Sequence, residues 1–483
     1  MRHRLADAIV VIAVVVWGLF GGLAANDLVG GDEGYYATMA RNLLAEGSQW
    51  AKVSLSPLGE AGDKPPLVPA LLALATLLFG FSETALRTVP LLSTAFAMLA
   101  ATRLGERLAP GRGAIITALL LATLPWLADG ARVVSAEPTL AAFGLWALVL
   151  LTGDPLSPKR AAMAGVLLGL AFQCKTWLVV LVALPAAAAL IGHSRRTWLA
   201  VGAGAAAASM LHLVVVLVLT PRDLAHWVNV ILRFSLASRA GGEGFASYWL
   251  QPPTFYVRML AQALLLWSPL LAIGVIEAWR RRREPTARVL LGALASLLLL
   301  SAFRVKSGGY LHPLVPLAAV LAALGAHALG ERSGYRGIAR AAAVTFVAIA
   351  VVAGAWRVSQ RLPQRYHDPG YREVAAFLAP ALASAAPSDT VLIAPEAPVF
   401  QALLFRTTDY WDTPYRPWTE ARAARLMAGT GPSWFVVDPG GRLYGGRPDS
   451  ATIAWLETQT REVTEEVVRA SGRDIEVRVF ERR

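Results

Sequence analysis

Two adjacent carboxylates, Asp32 and Glu33, stand shortly after the first apolar run of the chain and are followed by Tyr35 and Tyr36. At the water side of a membrane helix, such a pair can take the proton of an attacking hydroxyl. It can equally cap a helix, because acids satisfy the free N–H groups and the positive dipole end at an N-terminus. Tyr36, Met39, Ala40, Leu43 and Leu44 follow at i, i+3, i+4, i+7 and i+8, an apolar stripe suited to a helix lying on a membrane surface. The acids then begin that helix, and both readings stand.

Asp63-Lys64-Pro65-Pro66 comes next. Pro65 forces Lys64 out of the helical region and Pro65-Pro66 can start a helix, so the ammonium is held in an extended corner at the surface. There it can bind a phosphate, or snorkel to lipid headgroups. Further on, Ala131-Arg132 precedes Glu137-Pro138. An acid at the membrane face is expensive unless paired or functional, and Arg132 is the partner at hand. Lys175, Arg233, Lys306 and Tyr310 lie on the same face of the topology derived below. Cations among apolar helices need an anion, and a lipid phosphate supplies one.

The elements that position these residues are membrane helices. Of 483 residues, 55% are hydrophobic and only 16% charged, against about 25% charged in globular proteins; mean hydropathy is +0.50. Such a chain has too little polar surface to cover itself in water. The net charge of +12, from 45 Lys+Arg and 33 Asp+Glu, therefore bears on topology and not on nucleic acid. A single cysteine, Cys174, excludes an internal disulfide and a cysteine-based metal site. The seven histidines, His226 and His312 among them, show no ligand spacing.

Apolar runs predict spans near 6–25, 86–104, 113–129, 136–152, 161–174, 176–192, 197–220, 258–279, 287–304, 310–329 and 338–357. The first is expected to be an uncleaved helix, and the pair about Lys175 can also be read as one broken helix. Arginine and lysine accumulate on every second connection, at Arg103, Arg107, Arg112, Lys159, Arg160, Arg195, Arg196 and Arg280 to Arg283, which marks those loops as cytoplasmic. The parity holds only if 67–81 is a juxtamembrane or re-entrant helix. Tyr248, Trp249, Phe255, Tyr256 and Trp267 then form an external aromatic belt or line a sugar pocket.

From 358 to 483 charges return. Short strands are expected at 389–394, 433–438 and 474–480, with helices at 372–382 and 453–468 between them. The expected organisation is thus an all-α polytopic membrane domain over 1–357, with about eleven spans, and a small external α/β domain over 358–483.

Taken together, the motifs resemble the membrane-embedded GT-C glycosyltransferases, in particular the family of aminoarabinose lipid A transferases and protein O-mannosyltransferases. The resemblance rests on Asp32-Glu33, Tyr36, Arg41, Gly47 and Lys64-Pro65-Pro66 in the first loop. It continues through Arg132 with Glu137-Pro138, the segment Gly169 to Lys175, and Lys306 with Tyr310, His312 and Pro316. It implies inverting transfer of a sugar from a polyprenyl-phosphate donor to a lipid or glycan acceptor at the external face. Asp32 would be the general base or orient the acceptor, supported by Glu33 and Glu137. Lys64, Arg233, Lys306 and Tyr310 would hold the donor phosphate, with Tyr36, Arg41, Arg132, Lys175 and His312 around them. Family members that bind a metal beside the Lys-Pro-Pro turn use the preceding acid, here Asp63, and a later histidine; Asn229 stands where that histidine is sought. A divalent metal stays open and no cofactor is firmly implied.

Protein O-mannosyl transfer is the alternative within the enzyme class. A flippase of lipid-linked sugars is the alternative outside it, disfavoured because the polar residues gather at one face and not along the depth of the spans. The partners expected are the donor, the acceptor and membrane lipids, with no nucleic acid. In a bacterium, the site and the C-terminal domain would face the periplasm from the inner membrane.

Overall fold

The structure, a computed structural model, describes residues 2–21, 23, 32–45, 65–80, 82–219, 250–332, 338–362, 370–383, 391–394, 415–417, 427–428, 434–437 and 450–482. They fall into two compact units. One comprises Met1–Gly22, Ser54–Val68 and Arg87–Gln364, the other Leu23–Val53, Pro69–Leu86 and Arg365–Arg483.

The first unit is helical. It contains α1 (Arg2–Phe20), most of α4 (Glu83–Leu108), α5 (Gly113–Ala122), α6 (Pro125–Gly130), α7 (Glu137–Leu151), α8 (Pro158–Cys174), α9 (Val180–Leu190) and α10 (Arg195–Leu219). After these come α11 (Phe255–Leu264), α12 (Ser268–Arg280), α13 (Pro285–Ala302), α14 (Val315–Arg332) and α15 (Ile338–Arg361). Among the described residues, four stretches are by length and composition apolar enough to cross a membrane: His3–Phe20, Glu83–Leu108, Phe255–Arg280 and Pro285–Ala302. Leu19, Leu298 and Val352 are 74%, 71% and 69% exposed, a surface that suits lipid and not water. The chain is an integral membrane protein.

Small residues let the helices approach closely. A Cβ at Gly274 of α12 would land on the Leu321 carbonyl oxygen of α14, and one at Gly325 of α14 on the Leu270 carbonyl oxygen of α12. Gly274→Val should therefore force these helices apart and cost about 1–3 kcal/mol, read as a lowered unfolding temperature in detergent. An unchanged transition would refute the close packing.

Three expected spans are interrupted. The third breaks at Thr123 because Pro125 holds Leu124 extended (φ −90°, ψ 109°) and starts α6 afresh. The eighth divides at Leu265, where α11 gives way to a short 3₁₀ turn before α12. The tenth begins at Val315, so Tyr310 and His312 occupy the 3₁₀ turn Gly308–Leu311 and the residue after it. Lys175 itself is extended (φ −157°, ψ 95°) and separates α8 from the 3₁₀ turn leading into α9.

The expected cytoplasmic arginines tie helix ends together. Arg103 pairs with Asp7 at 2.8 Å; Arg107 donates to the Val149 carbonyl at 2.6 Å, Arg281 to that of Leu108 at 2.5 Å, and Arg288 to that of Ile191. Cations thus meet the carbonyls that helix C-termini leave over.

The second unit contains α2 (Asp32–Ala45), most of α3 (Leu67–Phe79) and a mixed sheet. α3 has 13 residues and falls within the expected 67–81. The strands β1 (Val391–Ala394), β2 (Tyr415–Pro417), β3 (Trp434–Val437), β4 (Thr460–Glu462) and β5 (Arg478–Arg482) take the order β2-β1-β3-β5-β4. β1 is parallel to β2 and β3, while β5 is antiparallel to β3 and β4.

Alternation along β3 divides two cores. Trp434 and Val436 pack with Val374 and Leu378 of α16 (Tyr371–Ala383) and Val467 of α18 (Thr464–Ser471). Phe435 and Val437 pack with Leu456 of α17 (Ser450–Gln459). The single helix expected over 453–468 is instead two helices around β4. β-Branched Thr460 pairs across to Arg482, and the Glu462 carboxylate accepts from Arg478 Nε at 3.0 Å. The last strand starts at Arg478, later than the expected 474.

Candidate functional site

Glu137 is the first residue of α7, where the helix dipole favours an anion. Lys175 reaches it from the break after α8, with Nζ 2.6 Å from Oε1 and both side chains about 5% exposed, at 5% and 6%. The Tyr310 ring lies 5.1 Å from the same Nζ, and Trp177 meets Tyr310 edge-on at 4.8 Å. Three breaks in helical structure thus converge on one buried charge pair. Arg132, expected beside Glu137, bonds elsewhere. It pairs with Asp129 at 2.8 Å and donates to the carbonyls of Gly21, Leu362 and Ala128. The reason is position: Arg132 sits in the turn closing α6, within reach of a carboxylate three residues before it.

Lys306 is buried and donates to the carbonyls of Gln251, at 3.0 Å, and Phe303. These take two of the three N–H groups an ammonium carries. Burial lowers its pKa from the ordinary lysine range.

His312 is 3% exposed. Its ring lies 5.3 Å from that of Trp126 and so close to Gly130 that a Cβ there would be 2.8 Å from Cε1. Burial pushes the imidazole down to about 4, against the opposing pull of Glu137. The unfolded chain, with an ordinary histidine value near 6.5, therefore binds the extra proton between pH 4 and 6.5. Stability is full above about pH 6.5 and falls as pH drops toward 4, by about 3 kcal/mol at most. Unfolding temperatures should fall from pH 7 to 5, and His312→Gln should flatten that dependence; parallel profiles would contradict the burial effect.

On α2, Glu33 and Tyr36 are buried together with Met39 and Ala40, while Leu44 is 39% exposed. The expected stripe is thus largely covered by protein. Arg41 is half-buried. Asp32 is the first residue of α2; its side chain, and Asp63, Lys64 and Arg233, lie outside the described residues. Among the described residues no group of three His, Cys, Asp or Glu is arranged to hold a metal. The sequence reading missed Asp129, which links Arg132 to Arg361 at 3.5 Å. Its signal was available: an acid at the end of an apolar run, like Glu137.

The fold is that of the GT-C membrane glycosyltransferases, the group that includes aminoarabinose transferases and protein mannosyltransferases. ArnT from Cupriavidus metallidurans in the apo state superposes with a TM-score of 0.72 at 17% identity, covering 98% of this chain and 97% of that one. The same protein bound to undecaprenyl phosphate gives 0.69 at 18% identity over the same shares. The oligosaccharyltransferase of Archaeoglobus fulgidus gives 0.59 at 15% identity over 90% and 70%.

In sequence, the chain is similar to the undecaprenyl phosphate-alpha-4-amino-4-deoxy-L-arabinose arabinosyl transferase of Pseudomonas paraeruginosa. The two are 30% identical over 318 residues, 62% of this chain and 55% of the relative, so the match spans about half that relative's length. Residues 63–220 match the dolichyl-phosphate-mannose-protein mannosyltransferase family. These findings bear out the resemblance to the group of aminoarabinose transferases and protein mannosyltransferases.

Proposed function

We propose that the protein transfers a sugar from a polyprenyl-phosphate donor to a lipid or glycan acceptor at the external face of the membrane, with inversion. The observation that carries this reading is the buried Glu137–Lys175 pair beneath Tyr310, in a fold shared with a protein crystallised with undecaprenyl phosphate. A buried carboxylate held by a cation at the end of an apolar bundle is costly unless it serves chemistry.

In this reading Asp32 takes the acceptor's proton, aided by Glu33 and Glu137, while cations neutralise the charge that develops on the departing phosphate. Lys64, Arg233, Tyr310 and the remaining N–H of Lys306 supply that neutralisation, with Tyr36, Arg41, Arg132, Lys175 and His312 supporting them. The membrane domain spans 1–357 with about eleven helices, and 358–483 form an external α/β domain, periplasmic if the host is bacterial.

Orientation is checked in a Cys174→Ala background, since Cys174 is the sole and buried cysteine. Arg283→Cys should label with an impermeant maleimide only after permeabilisation, and labelling of intact cells would invert the topology. Protein mannosylation is the second reading, favoured by the family match over 63–220. Supplying radiolabelled donor to membrane extract separates the two: the label should enter the lipid or glycan fraction, and label confined to protein would favour the second reading.

A further inference from the structure

Lys306 and Tyr310, both counted among the residues proposed to hold the donor phosphate, lie in the connection between α13 and α14. A connecting segment has many courses open to it, so one must be fixed if a lysine and a tyrosine on it are to meet a single anion. The chain that leads into α11 does the fixing. Leu250 and Val305 form an isolated antiparallel bridge, and the Gln251 N–H donates to the Arg304 carbonyl at 3.2 Å. The Gln251 carbonyl accepts from Lys306 Nζ at 3.0 Å. Next along, the Ser307 N–H donates to Tyr256 Oη at 3.1 Å, and the Ser307 carbonyl accepts from the Tyr310 N–H at 3.2 Å. Ser307 thus joins Lys306 to the turn that carries Tyr310, and a side chain of α11 holds its N–H.

Tyr256 is built as a fixed post. It is fully buried, where the sequence suggested an interfacial aromatic, and Phe255 packs edge-on against it at 5.1 Å. A buried hydroxyl is costly unless bonded, and here its bond goes to the backbone of the site. Three residues on, Met259 closes over Gly308, where a Cβ would lie 3.0 Å from its Cε. The far end of α11 is set at Leu265, with φ +53° and ψ −124°. A leucine in that left-handed region is strained and stays there only because its surroundings hold it.

We propose that Tyr256 is a positioning residue for the donor phosphate: through Ser307 it sets Lys306 and Tyr310 for the anion without touching the anion itself. The inference rests on the transferase reading, in which Lys306 and Tyr310 hold that phosphate. Protein in nanodiscs would be titrated with undecaprenyl phosphate and with undecaprenol, which lacks the phosphate, so that the ratio of the two affinities reads the phosphate alone. Wild type should favour undecaprenyl phosphate by at least ~10-fold, as charge-assisted bonds to an anion do.

Tyr256→Phe keeps the ring and removes only the hydroxyl. It should cut the preference about 3–10-fold, the range one hydrogen bond spans, and leave undecaprenol binding unchanged. Lys306→Met should cut the preference as well, and Tyr256→Phe added to Lys306→Met should cost clearly less than it does in wild type. A preference unchanged in Tyr256→Phe, equal weakening of both lipids, or losses that simply add in the double variant would overturn the proposal; equal weakening would make Tyr256 a packing residue. The two failures separate. A preference kept by Tyr256→Phe but lost in Lys306→Met rejects the positioning role and keeps the donor reading, whereas wild type that binds both lipids equally rejects the donor reading and the inference with it.

Discussion

Replacing Asp32 by asparagine is expected to abolish sugar transfer, by about 10²–10⁴-fold if the carboxylate is the general base, while the protein still folds. Asparagine has nearly the same shape and is as good a helix cap as aspartate, and Asp32 opens α2, so a capping role would survive the exchange. A catalytic role would not, because an amide cannot accept the acceptor's proton. The measurement is initial transfer rate beside unfolding temperature and donor affinity. A rate equal to wild type would leave Asp32 as a cap and remove the base from the mechanism.

The second large effect belongs to the buried pair. Lys175→Met leaves the Glu137 carboxylate, 4% exposed, without its 2.6 Å partner, and Glu137→Leu strands the ammonium. Breaking a buried pair from one side typically costs about 3–5 kcal/mol, whereas replacing both partners by apolar groups can be nearly neutral. Each single variant should therefore unfold at a clearly lower temperature, and the double variant should recover most of the loss yet remain inactive. Recovered activity in the double variant would show that the pair only holds helices together. Loss that simply adds would show that the two charges act independently.

The helical plan was legible because lipid imposes long apolar runs and arginine marks one side of them. Within 67–81 the apolar run forms a helix of 13 residues, Leu67–Phe79. The interruptions were harder to read. Pro125 was a visible breaker, and so was Pro269, which stands at the start of α12 just after the turn at Leu265. The strands at 391–394 and 434–437 stood out as apolar runs, while β4, three residues long, exists only through pairing with β5.

In the site, Glu137, Lys175 and Tyr310 were recognisable as misplaced charges and a matched motif. Their mutual contact was not, since Arg132 was nearer in sequence. Asp129 went unseen although it ends an apolar run, and its contact with Arg361 joins segments far apart in the chain.

The central claim is tested most directly by mass spectrometry of purified protein in nanodiscs, supplied with a panel of polyprenyl-phosphate sugars and a membrane extract as acceptor source. The account predicts release of polyprenyl phosphate from one of the donors, matched by sugar gained in the extract and lost in Asp32→Asn. Donors left intact across the panel, with the lipid-linked sugar merely moved across the bilayer, would contradict it and make the protein a transporter.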